Sequence, residues 1–273
     1  MTLMPRINRE DMKGQILKNI VTRVDYQDTF GLSDETRKGI YKICEARGIT
    51  KKLRRPLEES DFQTYDPVNI FSVTYEEIRD VFSDVIYDDE KGFYVEINQF
   101  FLLITQEIDA YYENYSFTSE LVEGILRVLK EKEALQILKV SIRKANEVYY
   151  KDYTNIHSDF KSEIINFNQF NRAIDWKKPY SNSESKQSFE WNNQRINFVS
   201  IFDSGKLNGN KLYRLYLQIE VYDVDLNFVK FQDNVIEKFK QLNETLYLFF
   251  EYTLTDVAVE KLKVEEGRLG DLT

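Results

Sequence analysis

The sequence predicts an α+β protein, with mostly antiparallel sheet, packed helices and a long C-terminal helix. Three observations predict it. Strand-like stretches come in runs and helix-like stretches stand apart from them, an order that argues against a doubly wound parallel sheet. Only 10 Gly and 4 Pro occur among 273 residues, so regular elements should be long and loops short. Hydrophobic residues make up 42% of the chain and 39 residues are aromatic, enough apolar surface to bury a core and too much for wholesale disorder.

The elements follow in order. Residues 15–28 alternate, with Leu17, Val21 and Arg23 on one face and Ile16, Ile20, Val24 and Tyr26 on the other, which predicts a strand. Ser33 is a helix N-cap, with Asp34 and Glu35 in the first turn; Ile40, Ile43 and Cys44 form the apolar stripe and Gly48 a natural stop. Residues 51–69 are polar, carry Pro56 and Pro67, and read as a connection. Val68–Val73 reads as a short strand and Tyr75–Val85 as helical. Residues 93–110 fit two strands or one bent strand, and the run Asp88, Asp89, Glu90 before Gly92 fits an exposed hairpin. Phe117–Lys132 is an amphipathic helix, with Leu121, Ile125, Val128 and Leu129 on one side.

Leu135–Tyr149 is strand-like, with Leu138, Val140 and Ile142 alternating against Lys139, Ser141 and Arg143. Residues 157–175 lean helical and Lys177–Lys186 reads as loop. Gln194–Phe202 and Lys211–Val224 read as paired strands joined by turn residues. Residues 231–263 hold the longest helical pattern, with Val235, Phe239, Leu242, Leu246 and Phe249 on one stripe. The order is β-α-β-β-β-α followed by β-α-β-β-α. It suggests two related halves, 1–134 and 135–273, standing as two units or as one continuous domain.

Charge narrows the function classes. There are 37 Lys/Arg and 46 Asp/Glu, a net charge of −9. Residues 1–55 are basic, with 13 Lys/Arg against 7 Asp/Glu, so the remainder carries −15. Eight Lys/Arg between Arg37 and Arg55 are followed by eleven Asp/Glu between Glu58 and Glu90. Two surfaces that neutralise each other within the fold, or a bipolar surface that steers a charged partner, both fit this. No run of about 18 apolar residues is present, so no spanning helix is expected and no membrane role. Cys44 is the single Cys and His157 the single His, which leaves no disulfide framework, no His/Cys zinc site and no cofactor to expect. With no signal-peptide pattern, a reducing cytoplasm is the expected compartment.

No phosphate-binding glycine loop and no nucleophile elbow occur. The best carboxylate pair is Asp223 and Asp225, two residues apart on one strand face at the end of an apolar row, where Mg²⁺ could be held through oxygen ligands. A nuclease would also want an acid-x-Lys on a strand; Asp159/Lys161, Asp175/Lys177 and Glu184/Lys186 are the nearest matches. The basic cluster Arg47, Lys51, Lys52, Arg54 and Arg55 could grip phosphates, although no aromatic is interleaved with it as in a base-stacking platform. His157 reads as an exposed side chain and Cys44 as a small core residue.

The segment Lys139-Val-Ser-Ile-Arg-Lys-Ala-Asn146 resembles the central strand motif, roughly R-I-G-L-R-Y-I-N, of a sporadically distributed, uncharacterised bacterial family. Arg143 and Asn146 match it, whereas Ser141, Lys144 and Ala145 depart. Asp223-Val-Asp225 resembles that family's D-x-D strand end, and Phe250-Glu-Tyr-Thr-Leu-Thr-Asp256 its C-terminal helix ending. Asn243 stands where the family has His, which removes one candidate catalytic group. The resemblance implies a setting near mobile-element, phage-defence or toxin–antitoxin loci. The expectation is a non-enzymatic interaction subunit or regulator. Its partner would be another protein of the same locus or a second copy, with nucleic acid possible through the basic N-terminal region. A metal-dependent nuclease and an acidic inhibitor of a nucleic-acid enzyme are the alternatives.

Overall fold

The computed structural model describes residues 5–7, 16–27, 31–62, 81–108, 115–133, 135–162, 182–207, 210–224, 234–264 and 269–271. Nine strands are described: β1 Leu17–Tyr26, β2 Lys51–Pro56, β3 Phe82–Asp88, β4 Phe93–Ile97, β5 Phe101–Glu107, β6 Ile137–Tyr150, β7 Asn182–Trp191, β8 Gln194–Leu207 and β9 Asn210–Val224. The described helices are α1 Asp34–Glu45, α2 Tyr115–Glu133, the single turn α3 Ile156–Asp159, α4 Val235–Thr253 and α5 Asp256–Leu262. The strands form one antiparallel sheet in the order β2-β3-β4-β5-β1-β6-β9-β8-β7.

That order is the α+β architecture the alternation predicts, with a repeated plan. In each half the first strand pairs with the last strand of that half (β1 with β5, β6 with β9), and the intervening strands start at the sheet edge and meander inward. Each meander is followed by a long helix, α2 or α4. The two first strands, β1 and β6, lie side by side at the centre. The boundary near residue 134 falls between α2 and β6, and the sheet runs across it.

The described helices set their side chains against one face. Thr22 meets the Tyr115 hydroxyl of α2, Asp84 takes Arg37 of α1, Lys144 and Asp223 meet Asn243 and Lys238 of α4, and Tyr150 meets Asp159 of α3. By register these residues share a face with Ile20, Val24, Ile104, Val140, Ile142, Ile219 and Val221, all buried. Phe239, Leu242, Leu246 and Phe250 of α4 close the core from above. On α1 and α2, Gly39 and Gly124 allow a close crossing: a Cβ on Gly39 would stand 3.0 Å from Val128, and one on Gly124 3.3 Å from Ile43.

Local signals explain several boundaries. Ser33 caps α1, accepting from the Thr36 amide at 3.2 Å. Gly48 follows α1 at φ +77°, a conformation that favours glycine. Gly92, at φ +62°, closes the acidic turn between β3 and β4 as the hairpin reading expects. The long C-terminal pattern is broken once: Leu254 leaves the helix, and the Thr255 hydroxyl caps α5 by accepting from the Ala258 amide.

Three expectations are corrected. Lys51–Pro56 is a strand, not part of a connection; among the described residues it pairs with β3 alone, and as an edge strand it can be charged on both faces and so shows no apolar alternation. Phe82–Val85 belongs to β3 rather than to a helix, fixed by pairing with β2 and β4. Asn182–Lys186 is strand rather than loop, again at an edge where polar residues suffice. The readings for 63–80 and 163–181 lie outside the described residues. No described helix is long and apolar enough to cross a membrane.

Candidate functional site

The basic stretch is drawn into the fold rather than gathered into a patch. Strand alternation puts Lys51 and Arg55 on one face and Lys52 and Arg54 on the other, where α1 packs. Lys51 pairs with Asp89 at 2.7 Å, and Lys52 with Glu45 at 2.7 Å. Arg55 takes Asp61 at 2.7 Å and Glu96 at 2.5 Å. Arg47 lies 3.4 Å from Glu120. Arg54 lies over the Phe82 ring, 5.0 Å from its centroid. The aromatics missing from the local sequence arrive from other elements: Phe117 beneath Arg47, Tyr87 beneath Lys51 and Tyr41 beneath Lys52. Acids from the following stretch, Asp61, Asp84 and Asp89, supply much of the counter-charge.

Asp223 is buried on the helix-bearing face and forms an ion pair with Lys238 of α4 at 3.1 Å. Asp225 lies outside the described residues. Among the described residues no group of three or more His, Cys, Asp or Glu is placed to hold a metal ion. Of the acid-x-Lys matches, Glu184 and Lys186 pair with each other at 3.0 Å on the exposed edge β7, and Asp175 and Lys177 lie outside the described residues.

Asp159 has a different use. It is 1% exposed and accepts from the Tyr150 hydroxyl at 3.0 Å, the Lys261 ammonium at 2.6 Å and the Gly270 amide at 3.0 Å. Burial, with Asp159 beside it, pushes the Tyr150 phenol well above its ordinary value. Asp271 continues the anchorage, accepting from the Lys151 amide at 2.8 Å. This cluster ties residues 269–271 and α5 to the end of β6. Sequence reasoning missed it because its members are dispersed from Tyr150 to Asp271. His157, expected to be exposed, is half-buried on α3. Cys44 is fully buried as expected, and burial pushes its thiol up to about 12.

The sheet face opposite the described α-helices carries dense polar chemistry. Arg23 pairs with Asp25 at 2.7 Å, donates to the Asp61 carbonyl at 2.7 Å and lies over Phe101. Arg214 is held by Asp203 at 2.5 Å and Glu147 at 3.0 Å. Lys139, 4% exposed, lies 3.7 Å from Glu220 and over the Tyr222 ring at 4.4 Å. Half-buried tyrosines are spread along it: Tyr87 and Tyr94, with rings stacked 6.2 Å apart, then Tyr149 and Tyr216. Near the middle, on β6, is Arg143. Among the described residues it is the half-buried charged side chain that makes no hydrogen bond, ion pair or ring contact. The sequence carried the signal for this face in the alternation of Lys139, Ser141 and Arg143 against Leu138, Val140 and Ile142. What it could not give was which acid each cation meets.

No protein-family model matches the chain, and no curated protein is significantly similar to it.

Proposed function

We propose that the chain acts as a protein-interaction subunit or regulator and not as an enzyme. The supporting observation is the sheet face opposite the described α-helices, with its half-buried tyrosines Tyr87, Tyr94, Tyr149 and Tyr216 among arginines. Tyrosine and arginine are the residue types enriched where proteins bind one another, because each offers a large contact area together with a polar end. Acids and bases alternate across the face, so it offers a partner specific pairings rather than a field of one sign. The partner on this reading is another protein of the same locus or a second copy. The setting, a bacterial anti-phage defence or toxin–antitoxin-like system acting in the cytoplasm, rests on the resemblance of Lys139–Asn146 and Phe250–Asp256 alone.

The test is affinity purification of the full chain from its native host at low and moderate salt, with identification of co-purifying proteins and nucleic acid. A stoichiometric protein is expected, and it should be lost from a Tyr94→Ser/Tyr216→Ser variant whose melting temperature is preserved. A chain recovered alone at both salt concentrations refutes the reading.

A further inference from the structure

We propose that the outer edge of β2 takes up an extended segment of a partner protein as an added strand, with an apolar residue of that segment beside Leu53 and an Asp or Glu beside Arg54. The site is separate from the tyrosine-bearing face and is tested apart from it. β2 stands at the end of the strand order, and among the described residues β3 alone bonds to the backbone of residues 51–55. In an antiparallel ladder every second residue turns its N–H and C=O away from the neighbouring strand. β2 therefore presents an unpaired row of the kind that strand addition uses. Access to it is open, since Lys51, Lys52, Leu53 and Arg54 are all exposed. Two large apolar side chains are also left uncovered here: Leu53 is 46% exposed, and Phe82, at the start of β3, is 42% exposed.

The side chains choose the occupant. Leu53 stands beside Val85 of β3, so an apolar residue opposite Leu53 lengthens that row. Arg54 is directly opposed to Asp84, but Asp84 is held by Arg37 at 2.8 Å. Arg54 lies over the Phe82 ring instead, and among the described residues it is the cation of β2 that meets no carboxylate. The neighbouring acids are already taken: Asp89 by Lys51, Glu45 by Lys52, Asp61 and Glu96 by Arg55. A carboxylate on an incoming strand thus meets an exposed guanidinium across the ladder, where opposite charges stabilise pairing.

The same charges exclude the simplest competitor. A second copy of β2 laid antiparallel and centred on Leu53 would set Lys51 against Arg55 and Lys52 against Arg54. Four cations in a strand of six residues protect the edge from its own kind while admitting a strand that carries acid. A nucleic acid has no amide ladder to offer this row, and its many phosphates meet the acids around β2.

The experiment is NMR of the full chain with labelled backbone amides, following residues 51–55. The probes are acetyl-Thr-Glu-Val-Glu-Thr-amide, its Gln counterpart, a form of the Glu peptide N-methylated at every residue, and a thymidine oligonucleotide. The Glu peptide should shift the β2 amide signals saturably in the millimolar range. The N-methylated form, with no N–H to donate, should not. Wild type should prefer the Glu peptide to the Gln peptide by about two- to fivefold. Arg54→Gln should remove that preference by weakening the Glu peptide alone, while moving the melting temperature by no more than about 2 °C. Unmoved β2 signals overturn the inference. So does an equal response to the N-methylated form, since binding would then need no ladder, and so does tighter binding of the oligonucleotide. Signals that broaden with protein concentration before any peptide is added also overturn it, because a second copy would then hold the edge. Unmoved signals alongside a partner that the Tyr94→Ser/Tyr216→Ser variant loses remove the edge site and spare the tyrosine-bearing face. A ladder-dependent shift with no partner captured from the native host does the reverse.

Discussion

The two halves of the sheet follow one plan and stabilise it by different means. In the first half the strands are short, β3–β5 spanning five to seven residues, and two helices cross closely over them at Gly39 and Gly124. In the second half β6, β8 and β9 span 14 or 15 residues. There α4 lies on the sheet, with Phe249 against Phe189 and Phe198, and the buried cluster at Asp159 secures the chain end. The opposite sheet face differs too. Residues 57–62 fold over part of the first half through Leu57 and Asp61, whereas the second half satisfies its charges between strands. The lesson is that connectivity sets strand order, while side-chain volume and charge decide how each half is closed.

That comparison can be broken experimentally, most severely at the second half's anchor. Asp159→Ala should destabilise the protein by about 3–5 kcal/mol in urea unfolding, because Lys261 and Tyr150 lose their buried acceptor. A loss well below this would mean that the chain end is held by packing alone. Gly270→Ala should cost about 1–3 kcal/mol, since φ is +84° and the new Cβ would stand 2.5 Å from the Tyr149 carbonyl oxygen.

Smaller effects belong to the first half. Burial alone would raise Asp61, but donation by the Arg55 side chain and the Glu58 amide outweighs it and holds the carboxyl below its ordinary range. A depressed carboxyl contributes stability above its unfolded pKa, near 4, and loses it as pH falls through the lower folded value. Asp61→Asn should therefore cost about 1 kcal/mol at pH 7, discounted for partial exposure, and nothing once Asp61 is protonated in wild type, as melting curves at pH 7 and pH 2 would reveal. Gly124→Ala should stay within about 0.5 kcal/mol of wild type in urea unfolding, because the helix-propensity gain offsets the contact with Ile43. Cys44 should resist thiol reagents in the native state at pH 8, its thiol being buried and protonated. With denaturant, its labelling should coincide with the tryptophan fluorescence change, since Trp176 and Trp191 both lie in the second half. Labelling that runs ahead would show the halves opening separately.

The sequence made the central elements legible because burial on one face writes period-two or helical stripes. β1, α1, α2, β6, β9 and the C-terminal helix pattern carry those stripes plainly. The edges were illegible for a physical reason: Lys51–Pro56 and Asn182–Trp191 have little to bury and must discourage pairing, so charge replaces alternation. At the candidate site, sequence supplied the residue types but not the partners. The cations of β2 looked like a patch until strand pairing and packing brought Asp89, Asp61 and Glu45 to them. Arg54 looked like one more of them until Asp84, opposed to it on β3, was found paired with Arg37.

The central seam between β1 and β6 bears on how the chain is made. β1 leaves the ribosome before β6, and one of its two edges stays without its partner until β6 has been synthesised. At common elongation rates that interval is on the order of 10 s. During it, Ile20, Val24 and the unpaired backbone beside them are open to any strand within reach, including β1 of a neighbouring nascent chain on the same message.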